Sequence, residues 1–150
     1  MSHRPEKGFT LLEILLVVAA IAILAGIVIV AINPGRQLGE TRNAQRKVDV
    51  RTILSAVQQY QLREGSLPDA INVGSTCNTE EYEICRTGAS PCQTDLSELT
   101  DNATYLTAMP IDPSTGSTGT GYFIMKSTAT GRVTVCAPGA ELEETISITQ

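Results

Sequence analysis

The chain has 150 residues, enough for one domain with a modest core and too few for two. Its formal charge of −5 at neutral pH and its near-even hydropathy are averages over unlike parts. A basic stretch runs from Arg36 to Arg63 with six bases against two acids, and from Glu64 onward twelve acids face three bases, which argues against nucleic-acid binding by the C-terminal part.

Between Phe9 and Ile32, only Thr10, Glu13 and Gly26 are not plainly apolar, and sixteen of the 24 positions are Phe, Leu, Ile or Val. As a helix at about 1.5 Å per residue the run reaches roughly 36 Å, sufficient for a bilayer core of about 30 Å. It is too long for the apolar region of a cleaved secretory signal, about 7–15 residues. A plain membrane anchor explains the length but not Glu13. A carboxylate in an apolar helix costs about 2.5–3.5 kcal/mol at the bilayer centre and less near its edge. The surrounding aliphatic residues outweigh that cost, so insertion survives, yet an acid in this setting calls for a partner. An α-amino group released by cutting before Phe9 would lie four residues from Glu13, or meet the Glu13 of an adjacent chain.

Lys7-Gly8 followed by Phe9-Thr10-Leu11-Leu12-Glu13 and an unbroken apolar helix resembles the N-terminus of the type IV pilin superfamily. The resemblance implies a prepilin peptidase that cuts between Gly8 and Phe9 and N-methylates Phe9, with Glu13 as the assembly carboxylate. Glycine at the cut leaves the backbone open to the protease. The fold it implies is α+β: a long N-terminal helix, transmembrane in its upper half and amphipathic below, packed on a small antiparallel sheet of about three strands. The divisions are a leader over 1–8, a membrane and filament-core helix over 9–32, a stem helix over 33–65 and a globular head over 66–150. One count disagrees with an exported head. Arg4 and Lys7 precede the span and five bases follow it up to Arg51, which by the positive-inside rule would hold the head in the cytoplasm.

Asn33-Pro34-Gly35 interrupts the apolar run, and Pro34 with Gly35 predicts a helix break that is either a kink or an extensible segment. Many pilins break a few residues earlier, where this chain has Val30. Past it, Val50, Ile53, Leu54, Val57 and Tyr60 form a helical stripe predicted to be core, with Arg46, Lys47 and Arg51 largely off it. Gly65 and Pro68 should end that helix. Residues 66–110 have weak periodicity and predict an irregular region with one short helix near Asp95–Leu99. Tyr122–Met125 and Arg132–Cys136 around Thr130-Gly131 predict a hairpin, and Thr145–Thr149 a last strand. Val133, Val135, Ile146 and Ile148 should bury against the stripe. Pro110-Ile111-Asp112-Pro113 and Gly121-Tyr122 look, more loosely, like the turn before the sheet in pseudopilins.

Cys77, Cys85, Cys92 and Cys136 contain no C-x-x-C pair, so a zinc site is poorly supported. Their even number in an exported domain predicts two disulfides of open connectivity, one of them long-range through Cys136. The sole histidine, His3, lies in the leader, which removes histidine catalysis from a trimmed chain. Gly116–Gly121 lacks the lysine and setting of a phosphate loop. Asp112 is a weak calcium candidate by analogy with major pseudopilins, since the twelve-residue calcium loop is absent; no other metal or cofactor is expected. Asn102-Ala103-Thr104 is a glycosylation sequon and the Ser/Thr run 114–120 another possible sugar site, both better read as solvated loops.

The expectation is a structural subunit and not an enzyme. It waits in the cytoplasmic membrane as a single-pass protein, N-terminus inside, and polymerises with itself into an extracellular pilus or an envelope filament. The resemblance implies as further partners minor pilins, a membrane assembly platform and an ATPase motor. A pseudopilin of a type II secretion-like system is the alternative. A membrane-anchored binding protein that never polymerises is the rival from another class.

Overall fold

The structure, a computed structural model, describes residues 8–89, 93–116 and 118–150. It is an α+β chain of two compact units, one up to Leu38 and the other Gly39–Gln150. Helix α1 covers Leu11–Ile32 and helix α2 covers Pro34–Glu64, with α2 giving its first five residues to the former unit.

The predicted break is present but is a single residue. Asn33 adopts the left-handed conformation, with φ 46° and ψ 75°, and closes α1. Pro34 and Gly35, predicted as the break itself, are helical. Pro34 is the first residue of α2, where a missing N–H costs nothing because first-turn amides lack helical partners. Asn33 Oδ1 accepts from the Arg36 amide at 3.4 Å, so one asparagine ends one helix and caps the next.

In the second unit, strands β1 (Val73–Gly74), β2 (Glu83–Cys85), β3 (Gly119–Ser127), β4 (Val133–Ala137) and β5 (Ile146–Thr149) form one sheet. The three predicted antiparallel strands are β3, β4 and β5, with Ile124 opposite Val135 and Val135 opposite Ile148. The expected three-strand count is corrected to five. β1 pairs in parallel with β3 at Val73–Lys126 and β2 pairs antiparallel with it at Glu83–Phe123. At two and three residues these strands are too short to show a period of two in the sequence. The predicted short helix is α3 (Ser97–Thr100), and α2 stops before Gly65, which takes φ 78° as an unhindered glycine can.

The core forms where the α2 stripe meets the sheet. Val50, Ile53, Leu54 and Val57 cluster with Tyr122, Ile124, Val133, Val135 and Ile146, while Tyr60 and Ile148 pack at the margin. Ile71, Ile84, Leu96, Leu99 and Met109 join the cluster, so the irregular region predicted for 66–110 contributes five buried aliphatic or thioether side chains. Strand alternation turns Cys136 away from that core, onto the face where it is bonded to Cys77. This bridge spans 59 residues, and closing so long a loop stabilises the fold by about 4 kcal/mol in the chain-entropy account. Cys85 is disulfide-bonded as well; Cys92 lies outside the described residues, and none of the described cysteines is free.

Candidate functional site

The N-terminal segment is built in three short pieces. Gly8 and Phe9 are non-helical and exposed, Phe9 at 79%. Thr10 is the N-cap of α1 in extended backbone, with φ −81° and ψ 150°, and its Oγ1 accepts from the Glu13 amide at 3.2 Å. This is half of a capping box, in which a threonine three residues before a glutamate satisfies a first-turn amide. The sequence reading missed Thr10, although the Thr-x-x-Glu spacing carries the signal. The predicted leader residues before Gly8 lie outside the described residues.

Glu13 therefore occupies the first turn of α1, where the exposed amides of a helix start favour a negative charge by about 0.3–1 kcal/mol. It is the only charged residue in α1, whose best window has a mean hydropathy of 3.3. At 22 residues the helix is about 33 Å long, apolar all round, and no residue of it is buried. Such a surface requires either lipid or other apolar helices around it. Among the described residues the Glu13 carboxylate has no ion-pair partner.

A second arrangement, inside the unit Gly39–Gln150, departs from expectation. Arg46, read from the sequence as lying off the stripe, is fully buried. Its Nε donates to Asp112 Oδ2 at 2.6 Å and its Nη2 to Asp112 Oδ1 at 3.1 Å, while Nη1 donates to Asn43 Oδ1 and Glu141 Oε1. The helix leaves no other outcome, since 46 continues the spacing of 43, 50, 53 and 57 and so shares their face. A buried guanidinium must be paired, and a bidentate carboxylate is the geometry that suits it. The Asp112 hydrogen bond in turn raises the Arg46 pKa above its ordinary value. Burial pushes the Asp112 carboxyl up, but Arg46 and Ser114 together outweigh that and hold it below the usual carboxylate range.

Asp112, the calcium candidate, thus faces an arginine on both oxygens, and a cation there would have to displace it. No cluster of metal-ligating side chains occurs among the described residues. Gly121 and Gly139 leave the room: a Cβ on Gly121 would stand 2.8 Å from Asp112 Cβ, and one on Gly139 3.3 Å from Asp112 Oδ2. Asp49, one turn on, accepts from the Tyr122 hydroxyl at 2.6 Å and from Gln45 at 2.8 Å. Burial and the Asp49 carboxylate drive the Tyr122 phenol far upward. Every buried side-chain oxygen and nitrogen in the described residues has a partner.

Two other predicted features lie mostly at the surface, although Thr120 at the end of the Ser/Thr run is buried in the sheet. Asn102 of the sequon is exposed and left-handed, with φ 52°. The segment 114–116 is largely exposed and Gly119 opens β3; Ser117 lies outside the described residues.

One family's sequence profile, described as the prokaryotic N-terminal methylation motif, matches residues 3–29. That span includes Gly8, Phe9, Thr10 and Glu13 and most of α1. No curated protein and no solved structure matches the chain.

Proposed function

We propose that this chain, whose N-terminus carries the class III signal peptide of type IV pilins and pseudopilins, is the precursor of a type IV pilus subunit that polymerises through α1. The observation that carries the reading is Glu13, a lone acid in the first turn of a helix apolar all round, four residues after Phe9.

The chemistry runs in order. Thr10 starts α1 late enough to leave Gly8 and Phe9 outside the helix and exposed, where a protease can reach the peptide bond. Prepilin peptidase hydrolyses the Gly8–Phe9 bond, and the freed Phe9 amine, in its neutral form, takes a methyl group from a sulfonium-type methyl donor, loses a proton and is protonated again in water. Methylation keeps the charge. That cation meets Glu13 of its own or a neighbouring chain, and pairing lowers the cost of holding a carboxylate away from water. Before assembly α1 satisfies its backbone within itself in lipid. In the polymer its aliphatic surface exchanges lipid for other copies, which is a packing gain without a change of polarity. An assembly platform and an ATP-driven motor supply the work of extraction. The subunit is structural and carries no catalysis of its own.

On this reading the head lies outside the cytoplasm. The Cys77–Cys136 bridge supports this against the count of bases after the span, because such bridges persist in oxidising compartments. Three of those bases, Arg42, Arg46 and Lys47, also have carboxylates within the head to pair with.

The test is a Glu13→Leu variant expressed from the native locus, with filaments sheared from cells and collected by sedimentation. The native chain is expected in the sheared pellet and the variant in the cell membrane. Filaments confined to the envelope would move the assignment to a pseudopilus. Wild-type yields of filament from Glu13→Leu would overturn the role of the carboxylate.

A further inference from the structure

Gly39, Asn43, Arg46, Val50, Ile53 and Val57 follow one another at alternating spacings of four and three residues along α2, and all are buried. What they bury against changes at Val50. From there on the face packs into the apolar core with Tyr122, Ile124, Val135 and Ile146. Before it, polar and charged side chains bond to the segment between β4 and β5, with Arg46 also on Asp112 and Ser114 and Asp49 on Tyr122.

Asn43 Nδ2 donates to the Glu141 carbonyl at 2.7 Å and to Glu144 Oε2 at 3.0 Å, and Asn43 Oδ1 accepts from the Glu141 amide at 2.9 Å. Arg42 pairs with Glu141 at 3.0 Å, Arg46 with Glu141 at 3.2 Å and Lys47 with Glu144 at 2.5 Å. The segment comes close because position 39 has no side chain; a Cβ there would stand 3.2 Å from Glu141 Oε2 and 3.3 Å from Leu142 Cγ. Between its two anchoring acids, Leu142 and Glu143 both hold left-handed backbone, φ 60° and 57°, which residues with side chains seldom adopt.

We propose that residues 138–145 form a charge-held strap over α2 from Gly39 to Asp49, and that this stretch is released as a unit while α2 from Val50 onward stays docked. The two regions answer to different forces. Apolar burial persists when charges are screened. The Arg42–Glu141 and Lys47–Glu144 pairs, with side chains about a third to a half exposed, weaken with salt. Once they open, the left-handed pair relaxes and Glu141 leaves Arg46. Water then reaches the Arg46–Asp112 pair, whose strength depends on being sheltered. Eleven residues that span about 16 Å as helix reach about 36 Å extended, so release supplies roughly 20 Å of chain per subunit. In a filament, which rests on the reading above, that slack would lie directly after the polymerising helix in sequence.

The test is hydrogen–deuterium exchange by mass spectrometry on the full chain in detergent micelles, disulfides intact, comparing peptides over 39–49 and 50–64. A Glu141→Gln, Glu144→Gln variant is expected to speed exchange over 39–49 by roughly tenfold while 50–64 stays within about twofold. The native chain in about 1 M salt, where the Debye length is about 3 Å, should move the same way, and it carries the test if the variant does not fold. Unchanged exchange over 39–49 under both conditions would overturn the strap. So would equal acceleration of both peptides, which makes α2 one unit. No polymer is involved, so either failure leaves the filament reading standing.

Discussion

Two charges in this molecule, Arg46 and Glu13, are satisfied in opposite ways. Arg46 is sealed inside the unit Gly39–Gln150 with Asp112, Asn43, Glu141 and Ser114 around it, so its partners come from the same chain. Glu13 stands on the surface of α1 with no ion-pair partner among the described residues, and in the function proposed above its partner comes from processing or from another copy. The lesson is that a buried charge with every donor matched belongs to the fold, whereas one left open in an apolar surface belongs to an event that has yet to happen.

The largest effect expected from breaking that contrast is Arg46→Ala. It leaves the Asp112 carboxylate buried without its cation and should cost about 3–5 kcal/mol. A urea or thermal melt of the native chain and variant measures it. Pairing Arg46→Met with Asp112→Leu should recover much of the loss, since a buried ion pair is often worth no more than apolar packing. An Arg46→Ala melt within about 1 kcal/mol of native would show the pair to be dispensable.

Changing pH tests the same cluster more gently. Asp112, Glu141 and Glu144 all titrate below their ordinary values. The stability these carboxylates confer is therefore complete above their unfolded values of about 4 and lost as pH falls through the folded ones. On the alkaline side the sign reverses. The Glu98 carboxylate and burial push Tyr60 up to about 12, so its contribution is present below pH of about 10 and lost toward 12. The melting temperature should be flat between these limits and fall outside them. A fall beginning near pH 6 would point to groups other than these.

The smallest effect is expected at the other charge's support. Thr10→Val removes the cap on the Glu13 amide and should fray the first turn of α1, by about 1 kcal/mol, while Thr10→Ser keeps it. Exchange of the first-turn amides in micelles reads this directly. Equal protection in both variants would mean that lipid alone defines where the helix begins.

How legible all this was depended on period. The apolar run from Leu11 to Ile32, the stripe through Val57 and the alternating β-type runs at the C-terminus are long enough to show their geometry in the sequence. β1 and β2 are not, and they form because β3 offers an open edge rather than from any preference of their own. Arg46 was misplaced for a different reason. The stripe was traced by hydrophobicity and stopped at Val50, though its spacing runs on through Arg46, Asn43 and Gly39. A polar residue at a core spacing, with an unpaired acid elsewhere in the chain, is a sign of a buried pair. At the N-terminus Glu13 was readable because it is the one charge in an otherwise apolar helix. Thr10 was overlooked as a mere exception to apolarity.

The central claim is that Glu13 is kept for an amine that proteolysis creates. Mass analysis of the N-terminus of the chain taken from its native membrane or fibres tests this most directly. The account predicts a chain beginning at methylated Phe9. Assembled fibres whose subunits still carry residues 1–8 would contradict it.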